Sequence, residues 1–111
     1  MDRLDVYRAE IKRLLREHQT IAPPEERIER VMICDEARDH YLLLELGWDK
    51  HRRLDGVVIY VRIRDSKIWV EVDWTEYGIA RELADAGVPK DDIVLAFHTP
   101  EKRRYTEFAA A

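Results

Sequence analysis

Residues 57–80, VVIYVRIRDSKIWVEVDWTEYGIA, change hydrophobic period part-way along: strict alternation up to residue 73, then the three- and four-residue spacing of a helix. The first part reads as a β-hairpin. With Asp65-Ser66 as a two-residue turn, Arg64 faces Lys67, Ile63 faces Ile68, Arg62 faces Trp69, Val61 faces Val70, Tyr60 faces Glu71 and Ile59 faces Val72. One face is then Ile59, Val61, Ile63, Ile68, Val70 and Val72, all β-branched, and a slip of one residue would break that set. Asp at a tight turn tolerates the left-handed backbone such turns need. The other face, Val58, Tyr60, Arg62, Trp69 and Glu71, is mixed, with Arg62 set over Trp69 as a cation–π pair.

The flanking chain follows the same two periods. In residues 3–18, Leu4, Tyr7, Ile11, Leu14, Leu15 and His18 form one helical stripe, Arg8, Lys12, Arg13 and Arg16 fall largely elsewhere, and Asp2 is placed as N-cap. Ala22-Pro23-Pro24 ends that helix. Residues 28–34 read as a first strand, with Val31 and Ile33 on one side and Met32 and Cys34 on the other. Residues 40–48 read as a second, with Leu42, Leu44, Leu46 and Trp48 on one face and Tyr41, Leu43 and Glu45 on the opposite one. Gly56 marks a bulge before the third strand. Thr75 is the expected N-cap of a second helix, with Glu76 in its first turn and Ile79, Ala80, Leu83, Ala84 and Ala86 as its stripe. Gly87 fits the C′ position, Val88 the cap contact, and Pro89 stops the helix. Residues 93–97 form a short fifth strand or a buried extended segment. The expected architecture is one α+β domain over residues 1–111: an antiparallel four- to five-stranded meander with an N-terminal helix and a second helix packed on one face.

If both helices cover one face, the other carries Met32, Cys34, Tyr41, Leu43, Val58, Tyr60 and Trp69. That set is too apolar for a solvated surface. It implies a protein–protein interface centred on Met32, Tyr41, Leu43, Tyr60 and Trp69, unless the C-terminal tail folds back over it.

Composition narrows the chemistry. Of the 111 residues 38% are charged and 46% hydrophobic, as in a globular chain, and the net charge of −4 argues against a general nucleic-acid binder. Local basic runs remain: Lys50, Arg52 and Arg53 in one loop, Arg103 and Arg104 in another, flanked by Asp49, Asp55 and Glu101. They support a second reading, a DNA-binding accessory factor. A single cysteine, Cys34, excludes an internal disulfide and fits a reducing cytoplasm. No apolar run approaches the ~20 residues of a membrane span, and the first residues lack the apolar core of a signal peptide. The histidines His18, His40, His51 and His98 have no metal-site spacing, and no cofactor loop is present. Asp65-Ser66-Lys67 has the letters of a nuclease acid-x-Lys element, a third reading, but turn chemistry explains them fully.

Several segments carry a resemblance. DWTEYGIA at 73–80, GVPKDDIVLAFH at 87–98 and YTEFA at 105–109 are similar to the XisI family, the fdxN element excision controlling factor proteins of cyanobacteria. The opening MDRLDVYRAEIKRLL, RDHY at 38–41, GWD at 47–49 and KIW at 67–69 follow the same pattern, so the resemblance spans essentially the whole chain. Trp74, where a small or polar residue is common, and Asp65-Ser66, where a glycine is commoner, depart from it. The resemblance implies a non-catalytic accessory factor of programmed DNA rearrangement in heterocyst development. It also implies a partner, XisH, of restriction-endonuclease-like fold, with self-association and DNA contact through the complex as further expectations. It implies no catalytic residue, cofactor or metal.

Overall fold

The computed structural model describes residues 2–21 and 27–111. The elements are α1 (Arg3–Thr20), β1 (Ile28–Asp35), β2 (His40–Asp49), β3 (Arg52–Arg64), β4 (Lys67–Asp73), α2 (Ile79–Asp85), a 3-10 turn (Lys90–Asp92), β5 (Ile93–Leu95) and α3 (Pro100–Arg103). The strands form one sheet in chain order, β1-β2-β3-β4-β5. The architecture is the expected α+β one, with one difference. β1 to β4 are antiparallel, but β5 lies parallel to β4, because α2 carries the chain back to the end of the sheet where β4 began. The Ala22-Pro23-Pro24 helix stop lies outside the described residues.

α1 begins as expected, with the Asp2 carboxylate accepting from the Asp5 N–H at 2.9 Å, and it buries Tyr7, Ile11, Leu14 and Leu15. Polar contacts then fasten it to the sheet. Arg8 donates through Nε and Nη2 to both carboxylate oxygens of Asp39, at 2.8 and 3.1 Å. The Tyr41 hydroxyl donates to the same carboxylate at 2.8 Å. Arg8, foremost, holds the Asp39 carboxyl below the usual carboxylate range. At the helix start the Tyr7 hydroxyl donates to Asp92, and burial, with that carboxylate, pushes the phenol up to about 12. Near its end His18 Nε2 lies 2.7 Å from Glu82 of α2.

The β3–β4 hairpin keeps the expected register from Arg64↔Lys67 to Val61↔Val70, with Asp65 and Ser66 both left-handed at the turn (φ 52° and 63°). Beyond that it departs. Glu71 is an extra residue, so Tyr60 pairs with Val72 and Ile59 with Asp73. Val72 leaves the β-branched face and Asp73 enters it. There Asp73 accepts from the Thr75 N–H at 2.9 Å, the Thr75 hydroxyl at 2.6 Å and the Ile79 N–H at 2.7 Å. Thr75 is therefore not the N-cap, and Glu76 precedes the helix: α2 starts at Ile79, after Gly78 at φ 101°, and its first N–H is satisfied by Asp73. The C-terminus is as expected. Gly87 is left-handed at φ 103°, its N–H donates to Ala84, the Val88 N–H donates to Leu83, and Val88 is buried.

One carboxylate thus organises the β4–α2 connection. Asp73→Ala is expected to cost about 2 kcal/mol in urea unfolding, since it removes a cap and two charge-assisted bonds. A loss under about 0.5 kcal/mol would show that the connection holds without it.

A candidate interaction surface

The β2–β3 connection decides which side of the sheet the helices cover. It closes at Asp49↔Arg52 around Lys50-His51, with Lys50 at φ 57°. The register then runs evenly to Leu44↔Val57, where Val58 is an extra residue on β3, and resumes at Leu43↔Ile59. The bulge falls two residues past Gly56. Without it Ile59 would sit opposite Leu42. With it, Tyr41 and Leu43 join Ile59, Val61, Ile68 and Val70 in the core beneath α1 and α2.

Three of the five expected interface residues are therefore corrected. Tyr41 and Leu43 are 0% exposed, and Met32 packs half-buried against the same core. Cys34, paired with Tyr41, is on that side as well, and Val58 also packs against the core. Tyr60 does lie on the side away from the helices, half-buried, its hydroxyl 2.7 Å from His40 Nδ1. Trp69 lies on that side too, but it is only 8% exposed. Val94, Ala96 and Ala109 pack on it, its indole N–H donates to the Arg64 carbonyl at 2.9 Å, and the Arg64 and Arg103 guanidiniums stand 5.0 and 5.5 Å from the ring centroid. The cation–π partners are thus Arg64 and Arg103, while Arg62 pairs with Glu71 at 2.8 Å. The C-terminal tail covers this corner of the face.

The rest is open. Val31 and Ile33 of β1, Leu42, Leu44, Leu46 and Trp48 of β2, Val57 and Tyr60 of β3, and Val72 of β4 share the face opposite α1 and α2. No described helix packs on it. Ile33 is 44% and Trp48 47% exposed, and the other members are half-buried. The grouping of Leu42, Leu44, Leu46 and Trp48 was legible in the alternation; which side they faced was not.

The basic residues divide. Lys50, Arg52 and Arg53 are exposed at the β2–β3 turn, with the Arg53 guanidinium 5.5 Å from the Trp48 ring centroid. Arg52 and Arg53 line a cleft of about 480 Å³ together with Arg30, Glu45, Asp55 and Trp74. Arg104 is exposed, but Arg103 is spent on the fold, donating to the carbonyls of Leu95, His98 and Ala96. Asp65-Ser66-Lys67 is a turn, with Asp65 beside Arg64 and Lys67 bound to the Ala111 carbonyl. Among the described residues no three His, Cys, Asp or Glu side chains stand where they could hold a metal ion. No described helix is long and apolar enough to cross a membrane.

A family model described as XisI protein matches residues 1–110. The chain belongs to the XisI family. Two solved structures place this XisI chain among relatives from Anabaena variabilis ATCC 29413. A XisI-like protein superposes with a TM-score of 0.91 at 35% identity, over 98% of this chain and 100% of its own. The fdxN element excision controlling factor XisI superposes at 0.84 with 39% identity, over 99% of this chain and 100% of its own. No curated protein matches. The α+β fold is thus a XisI fold, and one of these two relatives is an excision controlling factor.

Proposed function

We propose that this XisI chain is a non-catalytic controlling factor in the programmed excision of a DNA element, acting in the cytoplasm of a heterocyst-forming cyanobacterium by protein–protein association. The assembly surface is the open sheet face, and the associate is a XisH-like protein of nuclease fold or the chain's own kind. One observation carries this reading: nine apolar or aromatic positions on four strands lie on the face opposite α1 and α2, outside the corner that the C-terminal tail covers. A soluble monomer rarely leaves so continuous an apolar surface in water. The excision role is supported by the family and by the relative that is itself an excision controlling factor.

The test is co-expression with a XisH-like protein from the same host, followed by light scattering, and deletion of this copy in that host. A stoichiometric complex and loss of excision are expected. No complex, with excision unchanged, overturns the reading.

A second reading has its own observation: exposed Arg52 and Arg53 share a cleft with Trp74, Arg53 also stands over the Trp48 ring, and exposed Lys50 lies in the adjoining turn. Direct DNA contact there requires an affinity that falls steeply with salt and is reduced by removing Arg52 and Arg53.

A further inference from the structure

We infer that the edge of β3 over residues 52–57 takes up an extended segment of a partner protein as an added strand. The segment runs antiparallel to β3, with an aromatic residue over Gly56 and acidic residues at Arg53 and Arg52. This site is separate from the open sheet face, and it gives Arg52 and Arg53 a peptide to bind rather than DNA.

The ladder is unfinished there. β3 pairs with β2 from Arg52 to Arg62, but with β4 only from Ile59 to Arg64. β4 leaves the sheet at Trp74, whose N–H donates to the Val58 carbonyl at 3.0 Å. Residues 52–57 therefore have a strand on one side and, among the described residues, none on the other. That stretch is about 20 Å long, and its alternate N–H and C=O groups are a template for one more strand. Both outer strands, by contrast, are met by other parts of the chain. At β1 the Gln19 side-chain amide donates to the Arg30 carbonyl at 3.1 Å, and at β5 the Ala109 N–H donates to the Ile93 carbonyl at 2.8 Å. The 480 Å³ cleft runs along the free stretch, with Trp74, 79% exposed, at its head. A strand entering in line with β4 continues the antiparallel order of the sheet.

The side chains select the strand. Arg53, Asp55 and Val57 lie on the open face, and Arg52, Leu54 and Gly56 on the helix side. The neighbouring Arg30 and Arg62 have their carboxylates, Glu45 and Glu71. Among the described residues Arg52 and Asp55 have no ion pair, and Arg53 donates only to the Gly47 carbonyl, at 3.4 Å. These charges keep unmatched strands off the edge and accept one with acids opposite 52 and 53 and a base opposite 55. A Cβ at Gly56 would meet nothing within 4 Å, so no packing within this chain requires the glycine. An aromatic side chain on the neighbouring strand covers such a position. Main-chain pairing then supplies affinity and the alternate side chains supply choice. Nucleic acid fits less well, because phosphates along the cleft would meet Glu45 and Asp55 and leave the backbone edge unpaired.

The experiment is an amide NMR titration of the full chain with the peptide acetyl-VFKVEE-amide. Set antiparallel, its Phe falls opposite Gly56, its Lys opposite Asp55 and its two Glu opposite Arg53 and Arg52. Shifts confined to residues 52–58 and Trp74 are expected, with half-saturation on the order of 200 µM. Combining Arg52→Glu with Arg53→Glu, both exposed, is expected to weaken this peptide at least ~10-fold and to let the charge-reversed acetyl-VFEVKK-amide bind in its place. N-methylating one alternate set of peptide amides is expected to abolish binding, while methylating the other set leaves it within about 2-fold, since only one set faces β3. No shift at these residues at ~2 mM peptide overturns the inference. So does binding that falls equally with either methylated set, or that ignores the charge exchange. Oligothymidylate moving the same amides at a lower concentration than the peptide also overturns it, and favours direct DNA contact.

Discussion

Gly47→Ala is expected to destabilise the protein by about 4 kcal/mol, the largest effect of any single methyl added to this chain. Gly47 lies buried in β2, opposite Ile28 of β1 and Leu54 of β3, with φ at 150°. A Cβ there would stand 1.9 Å from the Arg27 carbonyl oxygen and 2.7 Å from the Ile28 Cα. Both are backbone atoms, so no side-chain rotation relieves the clash. The start of β1 would have to move, and with it the bond from the Trp48 N–H to the Arg27 carbonyl at 3.1 Å. Strain at an unfavourable φ adds roughly 1–3 kcal/mol and overpacking a similar amount. In a protein of this size that corresponds to a fall in Tm of roughly 12–20 °C. A shift under about 3 °C would mean that β1 yields freely at this point.

Tyr41→Ala is expected to cost nearly as much, about 3–5 kcal/mol, while Leu44→Ala costs under about 1 kcal/mol in the isolated chain. The two positions are three residues apart on β2 and face opposite ways. Tyr41 is fully buried between α1 and the sheet, and its hydroxyl completes the Asp39–Arg8 clamp. Its loss leaves a cavity under the helix and removes one of the bonds that hold Asp39. Leu44 is half-buried on the open face, where truncation leaves no enclosed void. The comparison is read by urea unfolding at submicromolar concentration, where association does not add to apparent stability. Equal losses, or a larger one at Leu44, would show that the helices cover the other side of the sheet. The pair therefore tests the face assignment on which the interaction surface depends.

Local chemistry explains what was legible before the fold. Strong periodicity with its own punctuation marks α1 behind Asp2, the Asp65-Ser66 hairpin and the Gly87-Val88 helix end, and each forms where the pattern places it. Trp69 was expected in an interface and is instead a core residue of its own small cluster, because the tail that covers it lies some forty positions further along. Nothing near residue 69 announces Ala109. The parallel pairing of β5 is hidden for a related reason: three buried aliphatics in a row carry no direction.

The sequence by itself determined α1, the four antiparallel strands, the pairs nearest the Asp65-Ser66 turn, the end of α2, the two rows of β2 and, by resemblance, the family. Only the tertiary structure decided which row faces the helices. Alternation is unchanged when the two faces are exchanged, and here both are apolar, so polarity cannot break the tie. Two inserted residues break it. Val58 brings Tyr41 and Leu43 under the helices and leaves Leu42, Leu44, Leu46 and Trp48 outside, and Glu71 turns Asp73 inward to hold the start of α2. A bulge is a mismatch in count between two hydrogen-bonded strands, so it exists only once both strands are paired.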